Sequence, residues 1–213
     1  MALADLYYLS DHEIDRLYKT FAKDFYMDDL YCTLFKDDKK RELFLNKYFE
    51  HYIQLIRPYC YFVANDKKQD CVMVVFDSAL ENKRYCLRVV SLNLKMLIVI
   101  IRLFSWSGIR HLISCWDMFT SRWIKDFVRE DYLHLDLLST REEKRGQGLA
   151  GTMLEQIVEE ASLRHCDITM ETHHKENLKL YERYGFMLMS TISHENDDVI
   201  QYNLLNRREK ESK

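Results

Sequence analysis

Glycine occurs only five times in the 213 residues, and four of the five, Gly146, Gly148, Gly151 and Gly185, lie in one stretch of the C-terminal half. A chain so sparing with glycine places it where a side chain cannot be accommodated. Residues 145–151 therefore read as a loop whose backbone, more than its side chains, does the work. The loop opens directly into a helix, because Leu149, Ala150, Met153, Leu154, Ile157, Val158 and Ala161 recur at helical spacing. Such a junction offers free N–H groups and the positive end of the helix dipole, which suits a phosphate or pyrophosphate.

The flanking pattern predicts a strand over 132–138, a polar loop over 139–145, the glycine loop and its helix, and a strand over 166–172. A short helix over 176–184, stopped by Gly185, and strand runs over 186–193 and 199–205 complete an order β-α-β-α-β-β. Two familiar loops fail in this setting. Gly146-Gln147-Gly148-Leu149-Ala150-Gly151 spells G-x-G-x-x-G, with Asp167 and Glu171 at about the distance of a ribose-binding acid. But a charged stretch, Thr140 to Arg145, separates it from its strand, and too few strands follow to complete a doubly wound sheet. A phosphate loop would need a lysine before Thr152, which is absent.

Arg145-Gly146-Gln147-Gly148-Leu149-Ala150 resembles the R/Q-x-x-G-x-G/A acyl-CoA motif of the GNAT superfamily of N-acetyltransferases. Asn177-x-x-Leu180-Tyr181-Glu182-Arg183-Tyr184-Gly185-Phe186 resembles its second signature. The resemblance is specific over 130–205 and coherent over 5–77. It implies an α/β fold of the GNAT acyl-CoA N-acyltransferase type: a mixed central sheet, splayed between the fourth and fifth strands and flanked by helices. One domain is expected over 1–205, with a long insertion at 78–131 and a charged tail at 206–213.

The resemblance also implies roles. Arg145, Gly146, Gln147, Gly148, Leu149 and Ala150 would wrap the pyrophosphate of acetyl-CoA, the glycines serving close approach more than turning. The strand edge at Leu137, Leu138 and Ser139 would pair with the pantetheine amides, and Asn177 would bind a cofactor amide from one helical turn before Tyr181. Tyr181 is the expected acid for the departing thiolate. For the base three residues stand open: His134, Asp136 beside it on the same strand face, and Glu171 on the neighbouring strand. The implied reaction moves an acetyl group from acetyl-CoA to a primary amine on a small molecule or peptide, by direct attack in a ternary complex. The alternatives are a non-catalytic acyl-CoA-binding GNAT module and a small dinucleotide-binding enzyme.

Elsewhere the sequence is restrained. A formal net charge of -3 provides no basic field for nucleic acid. The best apolar run, Met96 to Ile101, is too short to span a bilayer, and nothing at Met1-Ala2-Leu3-Ala4-Asp5 reads as a signal peptide. Neither nucleic acid nor membrane is expected as a partner, and the cytoplasm is the expected location. Six cysteines without C-x-x-C spacing, several in apolar runs, read as reduced core thiols. His173-His174 and His165-Cys166 do not read as metal ligands, because neighbours on a strand point opposite ways, and no metal is expected.

Toward the N-terminus, Ser10-x-x-Glu13 has the form of a capping box ahead of a helix, and a second helix carrying Phe44, Tyr48 and Tyr52 ends before Pro58, the lone proline. A hairpin follows, 59–63 with 71–76. The insertion holds Trp106, Trp116 and Trp123 with Tyr85, Phe104, Phe119 and Phe127. Its aromatics either close a satellite core over the sheet or wall the acceptor pocket.

Overall fold

The computed structural model describes residues 2–114, 121–193 and 199–208. Among them, seven strands form one sheet in the order β1-β2-β3-β4-β5-β7-β6. The strands are β1 (Tyr7–Tyr8), β2 (Cys60–Ala64), β3 (Cys71–Asp77), β4 (Tyr132–Thr140), β5 (Asp167–Thr172), β6 (Met187–Ser193) and β7 (Ile200–Asn206). All neighbours are antiparallel except β4 and β5, which run parallel. That pair lasts four residues, Tyr132–Leu135 against Asp167–Met170, and then parts. The splay expected between the fourth and fifth strands is present.

Helices cover both faces. On one lie α1 (Asp11–Ile14), α2 (Leu17–Asp24), α3 (Asp29–Leu34) and α4 (Asp38–Ile56), packed in a core with Phe21, Phe44, Leu45, Phe49 and Leu137. On the other, α8 (Leu149–Arg164) buries Met153, Leu154, Ile157 and Ala161 against Leu133, Leu135, Ile168 and Met170. The helical spacing read from residues 149–161 is therefore the buried face of α8. Glu13 closes the capping box by accepting from the Ser10 N–H at 2.7 Å.

The insertion is helical, and where its apolar run indicates a helix only from about Leu94 to Phe104, the helix starts a good ten residues earlier. One helix, α5, runs from Lys83 to Leu103, followed by α6 (Trp106–Ser114) and the short α7 (Ile124–Phe127). Its inward residues Tyr85, Val89, Leu92, Met96, Val99 and Leu103 pack on the α4 side, while Leu87, Val90, Leu94, Leu97, Ile98 and Ile101 stay exposed. An apolar stripe on each side blurs the single-faced periodicity by which a helix is recognised. The aromatics divide: Tyr85 and Phe104 join the core, Trp123 and Phe127 form a small cluster with Leu205, and Trp106 is exposed. Trp116 and Phe119 lie outside the described residues.

Strand β7 reaches Asn206, so the tail begins one residue later than expected. Its first two residues are anchored, Arg207 to the Phe127 carbonyl at 2.9 Å and Arg208 to the Val158 carbonyl at 2.7 Å. Among the described residues all cysteines are free, and Cys86 is exposed rather than packed. No described helix is long and apolar enough to cross a membrane.

Candidate active site

Where β4 leaves β5, a cavity of about 230 Å³ opens between the sheet and α2–α4. Its position follows from a local irregularity. Val74 pairs with Leu137 and Val75 with Leu135, which leaves Asp136 as an extra residue in β4, a β-bulge. The bulge bends the strand at the point where pairing with β5 ends. Beyond it, the edge of Leu137, Leu138 and Ser139 that faces away from β3 has no described strand beside it.

The cavity gathers the four residues considered for chemistry, Tyr181, His134, Asp136 and Glu171, with Asn177, Leu137 and Leu138. It does not include Ser139 or residues 145–150. The Ser139 hydroxyl bonds Asp24 instead. The glycine loop lies exposed past the end of β4, where Gly148 caps α8 with φ +81° and Gly146 has φ +76°. A Cβ at either glycine would meet no protein atom within 4 Å. Both glycines hold left-handed backbone, and the space in front of them is open, so nothing of the protein stands where a ligand would approach.

The three candidate bases differ sharply in what already occupies them. His134 is buried, with Nε2 3.0 Å from Glu171 Oε2 and Nδ1 2.9 Å from the Thr169 hydroxyl. Glu171 Oε1 accepts from the Trp123 indole at 2.5 Å. Burial disfavours the His134 charge, but the Glu171 carboxylate and its hydrogen bond, helped by Asp136, lift His134 above its ordinary 6.5. Burial likewise works against Glu171, and His134 and Trp123 hold it below 4.5. Each ring nitrogen of His134 and each oxygen of Glu171 thus has a partner within the protein. Asp136 accepts the Tyr52 hydroxyl on Oδ1 at 2.6 Å, while its buried Oδ2 has no partner. Burial raises Asp136 above its ordinary 3.8, against the opposing pull of His134 and Tyr52.

Tyr181 is buried on α9 (Leu178–Arg183), four residues after Asn177, and burial pushes its hydroxyl up to about 12, with Thr172 pulling slightly the other way. It stays protonated throughout the neutral range.

Sequence reasoning missed one side of the cavity. Asp28 caps α3 by accepting the Leu30 N–H at 3.0 Å and also meets His174 Nε2 at 3.2 Å and His173 Nδ1 at 3.8 Å. The two histidines lie past the end of β5, so strand alternation does not separate them and both turn to Asp28. Their place after a parallel strand was the available signal. Rings of Phe25, Tyr31, Tyr48, Phe49 and Tyr52 complete the wall. The Tyr48 and Tyr52 rings stack at 5.3 Å, an i, i+4 pair that sequence alone assigned to a core face. Of the insertion, Ser121 lines the cavity and Trp123 braces Glu171, but the aromatic wall comes from α2–α4 and their flanks. Among the described residues no group of His, Cys, Asp and Glu could hold a metal ion.

The fold is thus α/β, a mixed sheet that parts at its one parallel pair with a glycine loop leading into the helix that follows. Residues 113–188 match the family described as an acetyltransferase (GNAT) domain. The chain has the GNAT fold, and the match covers about a third of its length. The structure of histone acetyltransferase HPA2 and related acetyltransferase from Corynebacterium glutamicum is similar with a TM-score of 0.66 at 13% identity, covering 98% of each chain. The C-terminal condensation domain of Ebony in complex with beta-alanyl-dopamine gives 0.60 at 12%, covering 94% of this chain and 96% of that one. Arylalkylamine N-acetyltransferase 2 from Aedes aegypti gives 0.54 at 12%, with the same coverages. At such identities the likeness is one of fold. No curated protein sequence matches the chain.

Proposed function

We propose that the chain, as one domain over 1–205, transfers the acetyl group of acetyl-CoA to a primary amine by direct attack in a ternary complex. The observation that carries this reading is Asp136: a buried carboxylate with one open oxygen, on a β-bulge where the sheet parts, in the same cavity as a protonated tyrosine. The loop suits a pyrophosphate, since Gly148 brings no side chain to the first turn of α8 and no acidic residue stands there. Arg145 through Ala150 would hold that group, and the open edge of Leu137–Ser139 would pair with the pantetheine amides.

Acetyl-CoA supplies an acetyl thioester. Asp136 takes a proton from the acceptor ammonium, its raised value suiting it to a general base more than an exposed aspartate would be. The amine nitrogen bonds to the acetyl carbon and the carbon–sulfur bond breaks. Tyr181 gives its proton to the thiolate and takes the second proton shed by the nitrogen as the amide forms, Asp136 returns its proton to solvent, and a main-chain N–H at the bulge stabilises the oxyanion. His134 and Glu171 are positioning residues, a closed ion pair that fixes β4 against β5 and sets the field at Asp136.

The test is thiol release by purified protein with acetyl-CoA and an amine panel, repeated with Asp136→Asn. Turnover that falls about 10²-fold or more in the variant, with acetyl-CoA affinity unchanged, supports the assignment. Acetyl-CoA binding without thiol release for any amine would make the chain a binding module. Protection against heat by a nicotinamide cofactor but not by CoA would overturn the acyl-CoA reading altogether.

A further inference from the structure

We propose that the acceptor is a small monoamine, a single ammonium group on a compact apolar body, with the ammonium at Asp136 Oδ2 and the body among the rings of Tyr31, Tyr48 and Phe49. This rests on the cavity being the acetyl-transfer site. A charge census of the lining carries it. Among the described residues no lysine or arginine lines the cavity, and the carboxylates there are Asp28, Asp136 and Glu171. Glu171 is matched by His134 at 3.0 Å and Asp28 by His174 at 3.2 Å. His174 is raised above its ordinary 6.5, first by its hydrogen bond to Asp28, which favours the charged pair. Asp136 alone keeps an unpartnered buried oxygen. A buried carboxylate without a counter-charge is costly, and one ammonium restores neutrality.

The other unpartnered buried atom in the lining is His173 Nε2, and burial disfavours the charge on that ring, so it brings no positive charge to an anion. Tyr31 and Tyr48 are driven upward by burial and stay neutral, so they offer ring faces and hydroxyls but no second negative charge. Tyr48 packs at 5.3 Å from both Tyr52 and Phe49, and 6.4 Å from Tyr31, which makes this wall a continuous aromatic surface. Such a surface favours an apolar body and adds cation–π attraction for an ammonium near its edge. An amino-acid carboxylate would meet carboxylates with no lysine or arginine to receive it. The volume, about 230 Å³, is below the roughly 300–1,000 Å³ of pockets for drug-sized ligands. An aminosugar would set its ring hydroxyls against this aromatic wall.

The experiment compares kcat/KM by thiol release for 2-phenylethylamine and hexylamine against phenylalanine, spermidine, N-acetyl-lysine amide and kanamycin, using the full chain. The monoamines should exceed every competitor by at least about tenfold, the pair 2-phenylethylamine and phenylalanine isolating the carboxylate. If spermidine, the lysine amide, phenylalanine or kanamycin equals or exceeds the monoamines, this proposal falls while acetyl transfer stands. If no amine releases thiol, the acetyl-transfer reading falls and takes this one with it. Calorimetry of 2-phenylethylamine with the CoA-bound protein supplies the second readout. Affinity should drop at least tenfold in a folded Asp136→Asn protein, and unchanged affinity would refute the ammonium seat.

Discussion

The two walls of the cavity are made by different means. The wall from β4, β5 and α9 depends on backbone events: a bulge at Asp136, a parallel pair that ends at Leu135, and a glycine loop with two left-handed residues ahead of α8. The wall from α2–α4 depends on side chains alone, rings and a capping aspartate carried by ordinary helices. Backbone devices admit few substitutes, whereas a helix accepts many residues at a lining position. On the acetyl-transfer reading the first wall meets the common donor and holds the reacting ammonium at Asp136, while the second receives the body of a particular acceptor. Substitutions should therefore separate into those that abolish donor binding and those that spare it.

The largest effect is expected at Gly148. Gly148→Asp places a carboxylate at the N-terminus of α8, where like-charge repulsion with a pyrophosphate costs several kcal/mol, so CoA affinity should fall about 10³-fold. Aspartate is a good N-cap and tolerates a left-handed backbone better than most residues, so the fold should survive. Calorimetry with CoA decides it, and unchanged affinity in a folded variant would remove the loop from the donor site.

Tyr181→Phe should come next. Removal of the acid should lower kcat by roughly 10²-fold and leave CoA affinity unchanged. Because burial holds the hydroxyl up to about 12, Tyr181 should impose no basic limb on the rate below about pH 11. A loss confined to KM would make Tyr181 a binding residue.

The same contrast explains what could be read in advance. The glycine loop, α8 and the 132–138 strand were legible because turns and helix starts leave local marks in sequence, whereas Tyr181 was singled out only through the resemblance of its motif. The bulge was not, since an extra residue shows itself only against Val74 and Val75 on the partner strand. Asp28, Tyr31 and Tyr48 were hidden for another reason: a residue capping or packing within its own helix looks the same whether or not a cavity lies beyond it. His134, Asp136 and Glu171 were found as a group but not ranked, because the ranking depends on which oxygen is left open. Trp123, flagged only as one aromatic among several in the insertion, reaches the site through a single hydrogen bond to β5.

Glu171→Gln tests the ion pair through pH. The raised His134 contributes stability that is complete below 6.5 and lost as pH rises through its folded value. The lowered Glu171 contributes stability that is complete above 4.5 and lost as pH falls through its folded value. The stability lost in the variant, about 2 kcal/mol by the scale of hydrogen-bonded charged groups, should thus be greatest between pH 4.5 and 6.5 and shrink on either side. Thermal melts across pH 4–9 measure it, and a deficit independent of pH would mean that His134 is neutral in the fold.

The smallest effect belongs to Trp123. Trp123→Phe keeps an aromatic ring in the cluster with Ile124, Phe127 and Leu205 but removes the indole N–H from Glu171 Oε1. A hydrogen bond to a charged group is worth about 1.5–3 kcal/mol, and loss of some ring contact adds little, so stability should fall by about 1.5 kcal/mol. With one donor gone, the Glu171 carboxylate becomes more basic, and the acid limb of the stability profile should move to higher pH. Acetyl-CoA binding should not change, because Trp123 touches the pair that positions β4 and not the strand edge or the glycine loop. If instead CoA affinity falls while the pH profile stays where it was, Trp123 belongs to the donor wall, and the division between a backbone-built donor side and a side-chain-built acceptor side fails at that residue.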